Sequence, residues 1–233
     1  MLERDFTRTP RTRSCDIGTY HKLVKECNPD EYFGFVTNEI VPSIEEYSHD
    51  SAEEVKRWVR CTSSWLKRYM KFATGCMSDR ELERFYYDTI KMIDEGIRAR
   101  KWQKELVDDQ LSEADELYSN GLITDDEYEE IKWTAREVKK SLDDDARLLK
   151  DLKRACLSAR GRIGAVYCIE KVANTTHSRG SMLPVMCGAY LPEDIISSVT
   201  GEERWSEFAR PEDAGLELSQ AVPKILECVK EFR

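Results

Sequence analysis

The stretch YSNGLITDDEYEEI, residues 118–131, decides the fold of this chain. It contains one short turn, Asn120 to Thr124, between two segments whose apolar residues recur at alternating spacings of three and four. That spacing predicts two helices packed as an antiparallel coiled coil. Gly121 stands where a helix end favours a left-handed residue, and Thr124 with Glu127 has the spacing of a capping box. The sequence therefore predicts a long helical hairpin.

The predicted hairpin covers about residues 78–160, and its seam carries two charged residues. In the outgoing helix the seam positions are Tyr128, Ile131, Ala135, Val138, Leu142, Asp145, Leu149, Leu152, Cys156, Ala159, Ile163 and Val166. Folding the two segments about the turn places Arg100 opposite Asp145. A charged pair in a seam disfavours slipped registers, because slippage leaves a desolvated charge alone. We expect Arg100 and Asp145 to set the register of the hairpin. The alternative is that the seam opens locally beside Lys104 and that both side chains reach solvent.

The remaining sequence also predicts helices, and no stretch predicts paired strands, so the expected fold class is all-α. Capping pairs occur at Ser51 with Glu54, Ser78 with Glu81, and Thr200 with Glu203. Helices are expected at about 16–27, 30–48 and 51–74, and further helices should begin at Pro192 and Pro211. The second helix of the hairpin is expected to continue past a bend at Gly161 and Gly164 to about 173. The run from Thr175 to Ala189 is expected to be irregular.

Three regions follow from this pattern. Residues 1–76 are expected to be an N-terminal helical segment with a basic arm, and 77–164 the hairpin. Residues 165–233 are expected to be a C-terminal helical segment that packs with 15–76. The hairpin is too long to be wrapped by a compact chain of this size, so we expect it to project from the body formed by the other two regions.

Composition excludes several classes of protein. The chain has 233 residues and a net charge of −9, which argues against a protein with a basic coat for bulk nucleic acid or anionic membranes. It has no apolar run of membrane-spanning length and no signal-peptide hydrophobic region. Its eight cysteines are scattered without a Cys-x-x-Cys motif, which favours reduced core thiols. We expect a cytoplasmic protein, in which the glycosylation sequon at Asn174 has no role.

Charge is concentrated around the turn. Eleven acidic residues and no Lys or Arg lie between Glu105 and Glu130. These side chains either solvate an exposed coiled coil or form a docking surface for a basic protein partner or a second copy of the chain. The predicted partner-binding residues, called the acidic tip below, are Asp108, Asp109, Glu113, Glu116, Asp125, Asp126, Glu129 and Glu130.

The predicted helix at 51–74 has one basic and one aromatic face. Its cations either form ion pairs with acidic residues elsewhere in the molecule, or contact the phosphates of a nucleic acid together with the N-terminal arm. The candidate nucleic-acid-binding residues are Lys56, Arg57, Arg60, Lys67, Arg68 and Lys71, called the basic face below, together with Arg8, Arg11 and Arg13. If Trp58 and Trp65 are buried, they cannot stack on bases, and the helix can recognise only the charged phosphate backbone of a nucleic acid.

The sequence shows no catalytic motif, no metal-ligand set and no cofactor fingerprint. Glu113, Glu116, Glu127 and Glu130 could share a magnesium ion, as carboxylates do in all-helical nucleotide pyrophosphatases, but the second motif of those enzymes is absent. We therefore expect a non-enzymatic interaction or assembly protein, without cofactor or membrane contact, that presents its acidic tip. The first alternative is a nucleic-acid-associated subunit that uses the basic face, and the second is a metal-dependent helical hydrolase.

Overall fold

The computed structural model of the chain describes residues 15–158, 160–189, 195–201 and 209–232. Within these ranges every regular element is a helix and none is a strand, so the predicted all-α fold is confirmed. None of these helices is both long and apolar enough to cross a membrane. The elements are α1 (Ile17–Glu26), α2 (Pro29–Tyr32), a π-helical turn (Val36–Ile40), α3 (Val41–Glu45), α4 (His49–Ala73), α5 (Asp79–Ser119), α6 (Asp125–Ser158), α7 (Gly161–Ser178), α8 (Met182–Met186), α9 (Ile195–Thr200) and α10 (Pro211–Glu231).

Helices α5 and α6 form the predicted antiparallel hairpin. The chain reverses at Gly121, whose φ of +68° is a left-handed conformation that glycine adopts without steric cost. At the start of α5, the Glu81 carboxylate accepts a hydrogen bond from the Ser78 backbone N–H, 2.8 Å away, and the Ser78 hydroxyl accepts one from the Glu81 N–H. Thr124 and Glu127 make the same reciprocal pair at the start of α6. Local sequence therefore determines both helix starts.

Contacts between the two helices show their register. Lys104 Nζ lies 2.7 Å from Asp143 Oδ2, and Lys153 Nζ lies 2.6 Å from Asp94 Oδ1. The apolar seam between the helices is buried at Ile93, Val107, Ala114, Ile131, Ala135, Leu142, Leu149 and Leu152. Burial of this stripe is the main favourable contribution to hairpin packing, because each fully buried aliphatic side chain contributes about 1.5–3 kcal/mol.

The main core lies at the base of the hairpin, among α4, α7, α8 and α10. Its buried residues reach only to Ile93 on α5 and Leu149 on α6. The indole of Trp65 ties α4 to the hairpin by donating to the Thr89 hydroxyl, 3.1 Å away. The distal half of the hairpin has a separate small core, to which α9 contributes Ile195. The hairpin thus extends beyond the helical body, and α9 packs along it.

Two predicted helix boundaries are wrong. Helix α4 begins at His49, two residues before the predicted start, because Ser48, and not Ser51, caps it by accepting from the Ser51 N–H. Helix α6 ends at Ser158 and α7 begins at Gly161, whose φ is +66°, so the two are separate helices and not one bent helix. Ile163 is consequently 66% exposed and lies outside the seam.

The run from Thr175 to Ala189 is helical where an irregular segment was expected. Helix α7 continues to Ser178, and all five residues of α8 are buried. A Cβ atom on Gly180 would lie 1.9 Å from the Ser219 carbonyl oxygen, so this glycine allows α10 to pack against the α7–α8 connection. The predicted helix start at Pro192 lies outside the described residues, as does Glu203, whereas Thr200, its predicted capping partner, is the last residue of α9.

The cysteines are paired, so the predictions of reduced thiols and a cytoplasmic location are wrong. The Cα atoms of the pairs lie 4.4–5.8 Å apart, within the range of disulfide geometry. The disulfides join Cys15 to Cys76, Cys27 to Cys228, Cys61 to Cys187 and Cys156 to Cys168. Four such bonds in one chain point to an oxidising environment, such as the extracellular space.

Candidate functional site

All eight residues of the acidic tip are exposed on the distal part of the hairpin. Three of them have partners. Asp108 pairs with Lys139, Glu129 Oε1 lies 2.8 Å from Lys132 Nζ, and Asp125 accepts a hydrogen bond. The other five have no ion pair or side-chain hydrogen bond with any residue that the structure describes; they are Asp109, Glu113, Glu116, Asp126 and Glu130. The acidic tip therefore presents negative charge that the described residues do not neutralise.

Two tyrosines hold the tip in a fixed shape. The rings of Tyr118 and Tyr128 stack with their centroids 4.3 Å apart across the turn. The Tyr128 hydroxyl donates to Asp115, 2.6 Å away, and the Tyr118 hydroxyl donates to Asp125, 2.9 Å away. These carboxylates raise the pKa of both phenols, because they stabilise the protonated form. Leu122 projects from the turn with 69% of its surface exposed.

The basic face is paired with carboxylates throughout. Lys67 Nζ lies 2.6 Å from Asp30 Oδ2, and this hydrogen bond lowers the pKa of Asp30. Lys71 Nζ lies 2.6 Å from Glu81 Oε1 and lowers the pKa of Glu81 to about 2, with further hydrogen bonds from Ser78. The other four cations pair in the same way: Lys56 with Glu53 and Glu45, Arg57 with Glu54, Arg60 with Glu53, and Arg68 with Asp88.

The aromatic face of α4 is in the core. Trp58 is 0% exposed and Trp65 is 2% exposed, so neither indole can stack on a nucleic-acid base. Arg8, Arg11 and Arg13 lie outside the described residues. The structure thus brings the six helical cations together on one face, but it gives each of them a carboxylate partner.

Arg100 and Asp145 face each other in the middle of the hairpin. Arg100 Nη2 lies 2.9 Å from Asp145 Oδ2, and the two side chains are 4% and 16% exposed. Burial lowers the pKa of Arg100, while the charge and hydrogen bond of Asp145 act in the opposite direction. Arg100 also donates to Gln103, and Lys104 pairs with Asp143 instead. A role for the pair in setting the register remains a prediction.

One of the four carboxylates considered for magnesium has another role. Glu127 Oε2 accepts from the Thr124 backbone N–H, 2.7 Å away, and so belongs to the cap of α6. In the described ranges, no three His, Cys, Asp or Glu side chains are grouped so that they could hold a metal ion.

Sequence reasoning missed a groove of about 550 Å³ beside α4. It lies between α4 and the shorter N-terminal elements, which contribute Tyr20, Asp30, Phe33 and Thr37. Helix α4 contributes four cations to the lining. The basic stripe itself was visible in the sequence, but the opposite wall was not, because it comes from residues more than twenty positions earlier. The lining on α4 is Val59, Arg60, Ser63, Ser64, Lys67, Arg68 and Lys71.

Comparison of the chain with family models, curated proteins and solved structures finds no match. A function must therefore be argued from the geometry and charge of these surfaces.

Proposed function

We propose that this protein is a non-enzymatic interaction or assembly protein that docks its acidic tip against a basic surface. That surface belongs to a protein partner or to a second copy of the chain. The observation that carries the proposal is the set of five exposed carboxylates without a partner among the described residues. A concentrated field of one sign steers a complementary surface toward the tip and disfavours surfaces of like charge.

The shape of the hairpin supports this role. The stacked pair of Tyr118 and Tyr128 limits the movement of the turn, so little conformational entropy is lost when a partner binds. The exposed Leu122 adds an apolar contact at the centre of a charged rim, an arrangement typical of protein interfaces. The disulfides indicate that the encounter takes place in an oxidising compartment.

The nucleic-acid alternative has less support. Its six helical cations are already paired with carboxylates, so a phosphate backbone would have to displace or share these partners. Binding by backbone charge alone depends on cations that are free to neutralise phosphates and so release the counterions condensed on the nucleic acid. The hydrolase alternative also has less support, since the cap of α6 engages Glu127.

The test compares two triple charge reversals. Asp109→Lys with Asp126→Lys and Glu130→Lys changes only carboxylates of the tip that have no partner. Glu39→Lys with Asp50→Lys and Glu231→Lys makes the same change in charge at exposed positions on the body. Immobilised wild-type and variant proteins are incubated with extracellular fluid of the producing organism, and light scattering measures self-association of each variant.

We expect the wild type and the body variant to retain the same protein or to self-associate equally, and the tip variant to lose that interaction. The retained protein should elute as salt rises from about 50 to 200 mM, since exposed charges are screened. Retention that survives reversal of the tip would contradict the proposal. Retention of an added oligonucleotide that is lost on Lys67→Gln with Lys71→Gln would favour the nucleic-acid alternative.

A further inference from the structure

The groove beside α4 has the size of a small-molecule site. Its volume of about 550 Å³ falls within the range of about 300–1,000 Å³ that is usual for ligand pockets. The short N-terminal helices form one wall, and α4 forms the other. Val59 and Phe33 both lie in the lining, and Phe33 is fully buried. The half-buried ring of Tyr20 borders the same space.

Charge in the lining is asymmetric. Arg60, Lys67, Arg68 and Lys71 line the groove, whereas Asp30 is its only lining carboxylate. The carboxylates that partner the other three cations lie outside the lining: Glu53 for Arg60, Asp88 for Arg68, and Glu81 for Lys71. Among the side chains that line the groove, cations therefore outnumber carboxylates, although every cation also has a carboxylate partner.

The ion pairs orient these cations without using all their donors. A lysine ammonium has three N–H groups, and the structure gives Lys67 and Lys71 one carboxylate partner each. Asp30, which holds Lys67, is itself fixed by the Ser63 hydroxyl at 2.8 Å. The Arg68 guanidinium lies over the ring of Phe85, 4.5 Å from its centroid. The donors are thus held in place before any ligand arrives, which lowers the entropic cost of binding.

We propose that this groove binds a small amphiphilic anion: one carboxylate, sulfate ester or phosphate ester group on an apolar body. The anionic group would lie among Lys67, Arg68 and Lys71, where charge-assisted hydrogen bonds are available. The apolar body would lie against Tyr20 and Val59. A long polyanion fits less well, because Glu53 and Glu81 flank the cations outside the groove and repel phosphates that follow the helix.

The probe for the test is anilinonaphthalene sulfonate, an aromatic sulfonate whose fluorescence rises in apolar surroundings. It is titrated against the full-length, disulfide-intact protein, with neutral N-phenylnaphthylamine as a matched probe that lacks the anion. Ser64→Glu places a negative charge in the lining without removing an ion pair, since Ser64 is exposed and has no side-chain hydrogen bond in the described structure. Ser141→Glu makes the same change at an exposed site on α6, away from the groove.

We expect one sulfonate to bind per chain, with the neutral probe at least about fivefold weaker. Ser64→Glu should raise the Kd at least about fivefold, since a like charge at about 4 Å costs about 1 kcal/mol or more. Ser141→Glu should leave the Kd unchanged. Decanoate, octyl sulfate and octyl phosphate, used below micelle formation, should compete and so rank the three anionic groups.

Three results would overturn the inference. They are no saturable binding of the sulfonate, equal Kd values for Ser64→Glu and Ser141→Glu, and competition by inorganic sulfate as effective as that by octyl sulfate. The last result would show an anion site to which the apolar body contributes nothing. None of these outcomes depends on the acidic tip, so the proposal for the tip stands or fails separately.

Discussion

At the scale of single residues, the buried charge of Arg100 depends on Asp145 for compensation. The Arg100 side chain is 4% exposed, and its Nε has no hydrogen-bond partner in the described structure. A buried cation that loses its counter-ion keeps its desolvation cost without the Coulombic gain. The ion pair therefore contributes little net stability, but replacing only one of its two residues lowers stability strongly.

We expect Asp145→Ala to lower the free energy of unfolding by about 3 kcal/mol, the lower end for a broken buried pair, since Asp145 is partly exposed. Asp144→Ala, at an exposed neighbour paired with Arg147, should cost less than about 1 kcal/mol. Arg100→Leu combined with Asp145→Leu should recover most of the loss. Urea unfolding followed by circular dichroism measures all three. Equal costs for Asp145→Ala and Asp144→Ala would mean that the pair is not desolvated.

A second prediction at this scale concerns Asn174, the first residue of the sequon Asn174-Thr175-Thr176. The disulfides remove the reason for dismissing this sequon, and the Asn174 side chain is exposed on α7. We expect chain secreted from a eukaryotic host to carry a glycan at Asn174. Glycosidase treatment should then increase its electrophoretic mobility, and Asn174→Gln should abolish the change. Identical mobility before and after treatment of the wild type would refute this. Thr176 is fully buried, so it is a poorer position to substitute.

The sequence reveals single contacts between distant residues only where a repeat links the partners. The heptad pattern placed Arg100 opposite Asp145 because both belong to one hairpin with a known turn. The partners of Lys67 and Arg68 on the basic face could not be found in this way. Asp30 and Asp88 come from other elements, and only the packing of α4 against α2 and α5 brings them to Lys67 and Arg68.

At the scale of elements, the start of α5 combines a helix cap with a tertiary ion pair. The Glu81 carboxylate accepts from both the hydroxyl and the backbone N–H of Ser78, and it also accepts from Lys71 Nζ at 2.6 Å. These contacts lower the pKa of Glu81 from 4.5 to about 2. A carboxyl whose pKa is depressed by folding stabilises the fold above its unfolded pKa, and this stabilisation is lost as the pH falls through its folded pKa.

We therefore expect Glu81→Gln to destabilise the protein at pH 7, and the difference from wild type to shrink as the pH falls from about 4.5 to about 2. Because Glu81 is largely exposed, solvent screening limits the effect to about 1 kcal/mol. Chemical denaturation at several pH values gives the profile. Glu83→Gln, two residues along α5 and without an ion pair among the described residues, is the control. A difference between Glu81→Gln and wild type that does not change with pH would contradict the assignment.

Helix starts were predictable where the cap is local, as at Ser78 and Thr124, and less so elsewhere. All residues of α8 are apolar and buried, so this helix has no polar face. Its sequence therefore shows no helical periodicity of apolar and polar residues. Its proline and the flanking Gly180 and Gly188 favoured a loop. The heptad pattern of apolar residues continues through Ile163, so it predicts a bend and not a break between α6 and α7. In the structure Ile163 is exposed.

At the scale of the whole molecule, the disulfides join segments that are distant in sequence. Cys27 and Cys228 are 201 residues apart and connect the end of α1 to α10. Cys156 and Cys168 are 12 residues apart and connect α6 to α7. The sequence predicted no pairing, because eight scattered cysteines without a motif favour buried reduced thiols. The shared location of each pair is a property of the tertiary fold.

The loop that a disulfide closes determines how strongly it restricts the unfolded chain. By loop entropy alone, the Cys27–Cys228 bond contributes about 5 kcal/mol and the Cys156–Cys168 bond about 3 kcal/mol. We expect Cys27→Ser with Cys228→Ser to lower the guanidinium midpoint more than Cys156→Ala with Cys168→Ala. Alkylation of the non-reduced, unfolded wild type followed by mass spectrometry should find no free thiol. Labelling of all eight cysteines there would restore the reduced-thiol interpretation, and with it the cytoplasmic location that the disulfides argue against.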